Sequence, residues 1–188
     1  KGELRGNIHL GIIPTIAPYV LPNFFSQFTH NYPLLNVSVS EMTTQNIANA
    51  IKNRDLDMGL LALPLNDPDL REMPIYYEGF VLYDCTGIER KGHVDASIID
   101  PERFWLMEEG HCLSHQVIQI CNIDLKKGRK NFHFRAGSID SLIRFVRQNK
   151  GMTLLPELSV IDMTLTEKEK IYHFKSPIPV RSVGLVYH

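Results

Sequence analysis

The first sixty residues constrain the fold more than any other part of the chain, because short extended apolar runs alternate with amphipathic stretches. Asn7 to Ile13 reads as a strand that ends at Pro14-Thr15. Tyr19 to Asn31 reads as a helix with Leu21, Phe24, Phe25 and Phe28 on one face, closed by Pro33. Leu35 to Ser40 alternates as a strand does, with Val37 and Val39 on one side. Thr43 or Thr44 caps a second helix whose apolar members are Ile47, Ala48, Ala50 and Ile51. Asp57 to Leu63 is nearly all apolar, as expected of a strand buried on both faces of a parallel sheet. Together these segments make a complete βαβαβ unit.

The second half continues the alternation. Met73 to Tyr83 is a long extended segment, and Phe104 to Met107 a further strand. Asn131 to Ala136 is another strand. Ser138 then caps a helix carrying Ile139, Leu142, Ile143 and Val146, and Gly151 ends it. Met152 to Leu155 is a buried strand before Pro156, and the chain closes with Ile171 to Phe174 and Val180 to Tyr187. The pattern predicts an α/β protein of two Rossmann-like open-sheet subdomains joined by two crossings, near Tyr77 to Phe80 and Arg181 to Val183. Subdomain I takes residues 1–78 and 183–188, and subdomain II residues 79–182. There is no internal repeat and no low-complexity tract.

Composition narrows the function. The chain has 188 residues, 44% hydrophobic and 22% charged, which fits a globular protein of one or two units. A net charge of −1 gives no strong electrostatic pull on nucleic acid. Three cysteines, Cys85, Cys112 and Cys121, are too few for a secreted disulfide scaffold, so a reducing cytoplasm is expected. Prolines interrupt the apolar run from Leu10 to Phe28 before it reaches a membrane-spanning length, and no signal peptide is visible. The start at Lys1 suggests a piece of a longer protein.

The chemistry concentrates in Gly110-His111-Cys112-Leu113-Ser114-His115-Gln116-Val117-Ile118-Gln119-Ile120-Cys121. Gly110 marks a turn, and the residues after it read as a short helix with Val117, Ile118 and Cys121 on one face. Cys112 then lies near a helix N-terminus, where unpaired N–H groups favour a thiolate. Along a helix the two cysteines would stand roughly 13 Å apart, whereas a disulfide needs Cα atoms within about 7 Å. The pair can bond only if the segment unwinds. A reactive thiol, a distant partner and an obligatory refolding describe a redox switch. Ligands in open α/β sheets sit at the carboxyl ends of strands. Thr15, Thr44 and the His111-Cys112 pair each follow an expected strand, so they are expected to share one site in the cleft between the subdomains.

These residues resemble the regulatory domain of the peroxide-sensing LysR-type transcription regulators of bacteria, over essentially the whole chain. The matching motifs are Gly11-Ile12-Ile13-Pro14-Thr15 with Pro18-Tyr19 and Leu21-Pro22, then Thr43-Thr44 and Leu61-Ala62-Leu63. They continue with Glu109-Gly110-His111-Cys112-Leu113, Gln116, Cys121, Phe134-Arg135-Ala136, Thr153-Leu154-Leu155-Pro156 and Gly184-Leu185-Val186-Tyr187. The Gly-His-Cys-Leu core with a second cysteine nine residues on is specific to the peroxide-sensing branch; the rest fits LysR-type effector domains in general. The resemblance implies a fold like the type II periplasmic-binding proteins and no enzyme activity. It implies that Cys112 is the peroxidatic cysteine and Cys121 the resolving one. It implies that Thr15, Thr44, His111 and Arg181 line the peroxide pocket. It also implies a homodimer of this domain within a homotetramer, DNA contact through an N-terminal domain absent from this chain, a thiol reductant of glutaredoxin or thioredoxin type, and no cofactor, metal or membrane. The family commonly has Arg-Asp after Cys-Leu where this chain has Ser114-His115, and Cys85 has no counterpart.

Plainer readings exist for each residue. Free cysteines are more often buried and inert than reactive. Thr15 and Thr44 could be helix caps. His111, Cys112, His115 and Cys121 could bind zinc, although their spacing is not that of a standard finger. Alternative functions are a LysR-type effector domain that binds a small organic ligand, a solute-binding protein, and a thiol peroxidase.

Overall fold

The computed structural model describes residues 4–107, 134 and 136–188. The chain divides into two units, Lys1–Tyr76 with Ser182–His188, and Tyr77–Arg181. Two strands, β4 and β7 below, carry the chain from one unit to the other.

Unit 1 contains the parallel core predicted from the alternation. β1 (Gly6–Ile12) runs parallel to β2 (Leu35–Glu41) on one side and to β3 (Met58–Leu63) on the other. β7 (Val180–Tyr187) then pairs antiparallel with β3, from Met58↔Tyr187 to Leu63↔Ser182. The crossovers are α1 (Ala17–Asn31) and α2 (Thr44–Lys52). Thr43, rather than Thr44, caps α2: its hydroxyl accepts from the Asn46 backbone N–H at 3.4 Å. α2 buries Ile47, Ala48 and Ile51 against the sheet. The approach is so close that a Cβ on Gly59 would stand 2.3 Å from Ile47, and one on Gly11 2.9 Å from the same side chain. Glycine at both positions therefore sets how near the helix can lie.

α1 differs from its neighbour. It starts two residues earlier than the pattern suggests, because Pro18 is tolerated in a first turn, where its missing N–H has no helical partner. Of its fifteen residues only Ala17 is buried. Phe24 is 52% exposed, and rings stack along the outside from Phe24 to Phe28 at 5.2 Å and from Phe28 to Tyr32 at 5.0 Å.

In unit 2 the inner end of β4 (Arg71–Asp84) is the central strand. Its residues from Glu78 to Asp84 are all buried. β5 (Met152–Pro156) and β6 (Ile171–His173) both pair antiparallel with it; Leu82, for instance, lies opposite Leu154 and Tyr172. α3 (Ile139–Gln148) is capped by Ser138, whose hydroxyl accepts from Ser141 N–H at 3.2 Å. It buries the expected stripe of Ile139, Leu142, Ile143 and Val146. A short helix, α4 (Leu165–Lys168), precedes β6. Phe145 on α3 meets Trp105 edge-on at 4.4 Å and stacks on Phe134 at 3.9 Å.

The expected strand at Phe104 to Met107 is two isolated bridges, Phe104↔Met152 and Met107↔Ala136. Phe104 meets only the first residue of β5, so the ladder ends after one bridge. The expected strand at Asn131 to Ala136 and the cysteine-bearing helix from Cys112 to Cys121 lie largely or wholly outside the described residues. Among the described residues no helix is long and apolar enough to cross a membrane.

Candidate functional site

Thr15 and Thr44 follow β1 and β2 by three residues each. The two strands are parallel and in register to their ends, with Ile12 opposite Glu41. Both carboxyl ends therefore open on one edge of the unit 1 sheet, and the two threonines emerge together there. Backbone bonds from Ile13 N–H to Leu60 O at 3.2 Å and from Met42 N–H to Ile12 O at 3.0 Å fix the loops as they leave the sheet. Thr15 is buried, in a turn that Ile16 and Ala17 close by donating back to Ile13 O. Thr44 is half-buried and is the first residue of α2. Thr43, not Thr44, does the capping. A hydroxyl that both donates and accepts suits a small peroxide or water-like ligand.

Arg181 lies near the start of β7, in unit 2, and its side chain is fully buried. Buried arginine needs a counter-charge, and Glu78 of β4 supplies it. Nε donates to Glu78 Oε2 at 2.7 Å, and Nη2 lies 2.6 Å from the same oxygen. Glu78 Oε1 accepts from the Leu158 backbone N–H at 3.0 Å, so both carboxylate oxygens are used. The guanidinium carbon stands 6.0 Å from the centre of the Phe80 ring. The arginine is thus held from below by a carboxylate and flanked by an aromatic face, a charge-assisted arrangement with little rotational freedom. Glu78 was not singled out from sequence. A signal was there: a lone acid in the apolar run from Tyr76 to Tyr83, followed by Gly79, which lets the Glu157 carboxyl group lie against the strand.

His111, Cys112 and Cys121 lie outside the described residues. Cys85, the remaining cysteine, is free and half-buried. Burial pushes its thiol above the ordinary value, outweighing the hydrogen bond to Tyr83 and the positive charge of Lys170, which act the other way. A raised thiol pKa leaves little thiolate at neutral pH and makes Cys85 a poor nucleophile. Tyr83 beside it is also pushed up by burial. Arg147 pairs with Glu167 next to this group, and the phenol contacts the same carboxylate at 3.4 Å. The cluster is a partly buried polar group at the end of β4. No cluster of three or more metal-ligating side chains exists among the described residues.

The LysR substrate binding domain family matches residues 1–188, the whole chain. A relative from Mycobacterium leprae, named "Probable hydrogen peroxide-inducible genes activator", is 35% identical over 188 residues, covering 98% of this chain and 60% of its own length. The chain thus spans about three-fifths of that regulator. The reduced OxyR of Porphyromonas gingivalis has a similar structure, with a TM-score of 0.84 at 29% identity over 97% of this chain and 84% of its own. The oxidised form of OxyR matches with a TM-score of 0.82 at 28% identity, over 100% of this chain and 88% of its own. Both structures share this chain's fold, and the Mycobacterium leprae relative is named as a gene activator. The chain belongs to the LysR substrate-binding domain family.

Proposed function

We propose that this chain is the regulatory part of a hydrogen-peroxide-sensing LysR-type transcription activator, with Cys112 as the sensing thiol and Cys121 as its resolving partner. The observation that carries the reading is the whole-chain similarity to regulators named for hydrogen peroxide, in a sequence with a Gly-His-Cys-Leu motif and a second cysteine nine residues on. The chemistry balances. The Cys112 thiolate attacks one peroxide oxygen and the O–O bond breaks; sulfur loses two electrons and becomes a sulfenic acid, while the other oxygen takes up a proton and leaves as water. The Cys121 thiol then displaces the sulfenic hydroxyl as a second water, closing the disulfide. A cellular thiol, of glutaredoxin or thioredoxin type, returns two electrons and resets the switch.

Thr15, Thr44, His111 and Arg181 line the peroxide pocket in this reading. The shared sheet edge of Thr15 and Thr44 supports it. Closing the bridge refolds the segment between the cysteines, and the change passes to DNA through the N-terminal domain outside this chain. The domain works as a homodimer within a homotetramer. The outer face of α1, with exposed Phe24 and Phe25 and with Tyr32 just after it, supports a self-association surface there.

One equivalent of peroxide should remove two thiols as one intramolecular disulfide, with no further turnover until reductant is added. Cys121→Ser should stop at the sulfenic acid, trapped by a dimedone-type reagent. Thr44→Val should slow oxidation of Cys112 while the circular dichroism spectrum stays the same. If the three thiols survive stoichiometric peroxide, the cysteines are bystanders in a domain that answers a different ligand.

A further inference from the structure

Among the described residues, two histidines far apart in sequence meet on the surface of unit 2. Val94 and Phe174 form a parallel bridge, closed by Val94 N–H to His173 O and Lys175 N–H to Val94 O, both at 2.8 Å. His93 and His173 each stand one residue before that bridge. Side chains alternate along an extended chain, so these two project on one face and Val94 and Phe174 on the other. Val94 and Phe174 are buried, at 6% and 2% exposure, and anchor the backbone. Both histidines are exposed, with ring centres 6.3 Å apart and ring planes at 49°.

We propose that His93 and His173 form a two-imidazole site for a divalent transition metal ion of the nickel, copper or zinc kind, with water completing the coordination. Imidazole is the commonest side-chain ligand for these ions. A metal–imidazole bond of about 2.0–2.1 Å puts the ion roughly 3 Å from each ring centre, so two rings that share one ion have centres about 5 Å apart. The observed separation is about 1 Å larger than that, which small rotations of two exposed side chains close without moving the backbone. The backbone is the part that must be exact, and it is set by the bridge and by the antiparallel pairing of His173 with Val81 on β4. The rings themselves are near the outer limit of aromatic contact, about 7 Å, so little ties them to their present tilt.

The neighbouring groups define the site's character. Asp95, two residues beyond His93 and on the same face, is already used: its Oδ1 accepts from Ser97 N–H at 2.9 Å, and Lys175 lies close enough to favour its charge. It therefore stands beside the site and not in it. Two protein ligands leave several coordination positions open to solvent, so binding is modest and exchangeable. Bound metal would tie the connection after β4 to β6. The next residues along each strand, Asp95 with Phe174 and Lys175, line a half-open surface groove of about 400 Å³ that continues to Val180.

Nickel(II) titrated into the purified reduced chain, followed by calorimetry and by proton NMR of the histidine rings, tests the proposal. The paramagnetic ion should broaden the His93 and His173 ring signals together and before those of the other six of the chain's eight histidines. His93→Asn and His173→Asn should each lower the affinity of this step at least tenfold, and the double variant no further. Both side chains are exposed, so the variants should keep the parent's circular dichroism spectrum. If either single variant binds nickel(II) as tightly as the parent, or if only one of the two ring signals responds, the shared site does not exist.

Discussion

α1 and α3 began as equivalent patterns and ended in opposite environments. Each carries four large apolar residues at helical spacing. α3 buries all four of its stripe, Ile139, Leu142, Ile143 and Val146, beneath a capped first turn and a charged outer face. α1 buries only Ala17, lacks a side-chain cap at Ile16 and contains no Asp, Glu, Lys or Arg. Its aromatic residues stack on one another along the outside instead of on a sheet. The amphipathic pattern states that a face will be covered; it does not state by what. In α3 the cover is the same chain. In α1 we propose that it is a second copy.

The largest expected effect is therefore in α3. Leu142 is 1% exposed, and Leu142→Ala removes buried methyl groups and leaves a cavity. Unfolding in urea should show a loss of about 2–5 kcal/mol, and a loss below about 1 kcal/mol would mean the stripe is not the core of unit 2. Phe24→Ser tests the other side of the comparison. With Phe24 52% exposed in the monomer, the stability of isolated chains should change by no more than about 0.5 kcal/mol. Self-association, measured by sedimentation equilibrium, should weaken by at least about tenfold, or ~1.4 kcal/mol. An unchanged association constant would remove α1 from the interface and leave its exposed rings without a purpose.

The same contrast separates what could be read from the residues from what could not. The βαβαβ half was legible because period and punctuation agreed: Pro14, Thr43 and the apolar run before Pro64 each mark an element end. The placement of Thr15 and Thr44 at one sheet edge followed from that order, since parallel neighbours bring their carboxyl ends together. What was not legible depended on partners distant in sequence. β7 joins β3 antiparallel, although Met58 to Leu63 has the composition of an all-parallel strand. Glu78 and Arg181 are separated by 103 residues, so the lone acid in its apolar run does not say which cation it meets. The Phe104 to Met107 run has strand composition but finds only single bridges. Local pattern sets which elements form, whereas ion pairs and edge pairing are settled by which chain segments arrive beside them.

The smallest effect belongs to the outer face of α3, and it sharpens the comparison because α1 has no equivalent. Asp140 in the first turn accepts from Arg144 Nε at 2.9 Å, one helical turn on. The acid lies at the helix N-terminus, where the macrodipole favours it, and the order acid-then-base is the better orientation for such a pair. Both side chains are nearly three-quarters exposed, at 73% and 74%, so water and salt screen the attraction. Arg144→Gln keeps helix propensity while deleting the charge, and should cost about 0.3–0.5 kcal/mol at low ionic strength. In 1 M salt, where the screening length is only about 3 Å, the difference from the parent should vanish. A loss above about 1 kcal/mol, or one that persists in high salt, would show that Arg144 makes a packed contact, and that the outer face of α3 is covered like that of α1.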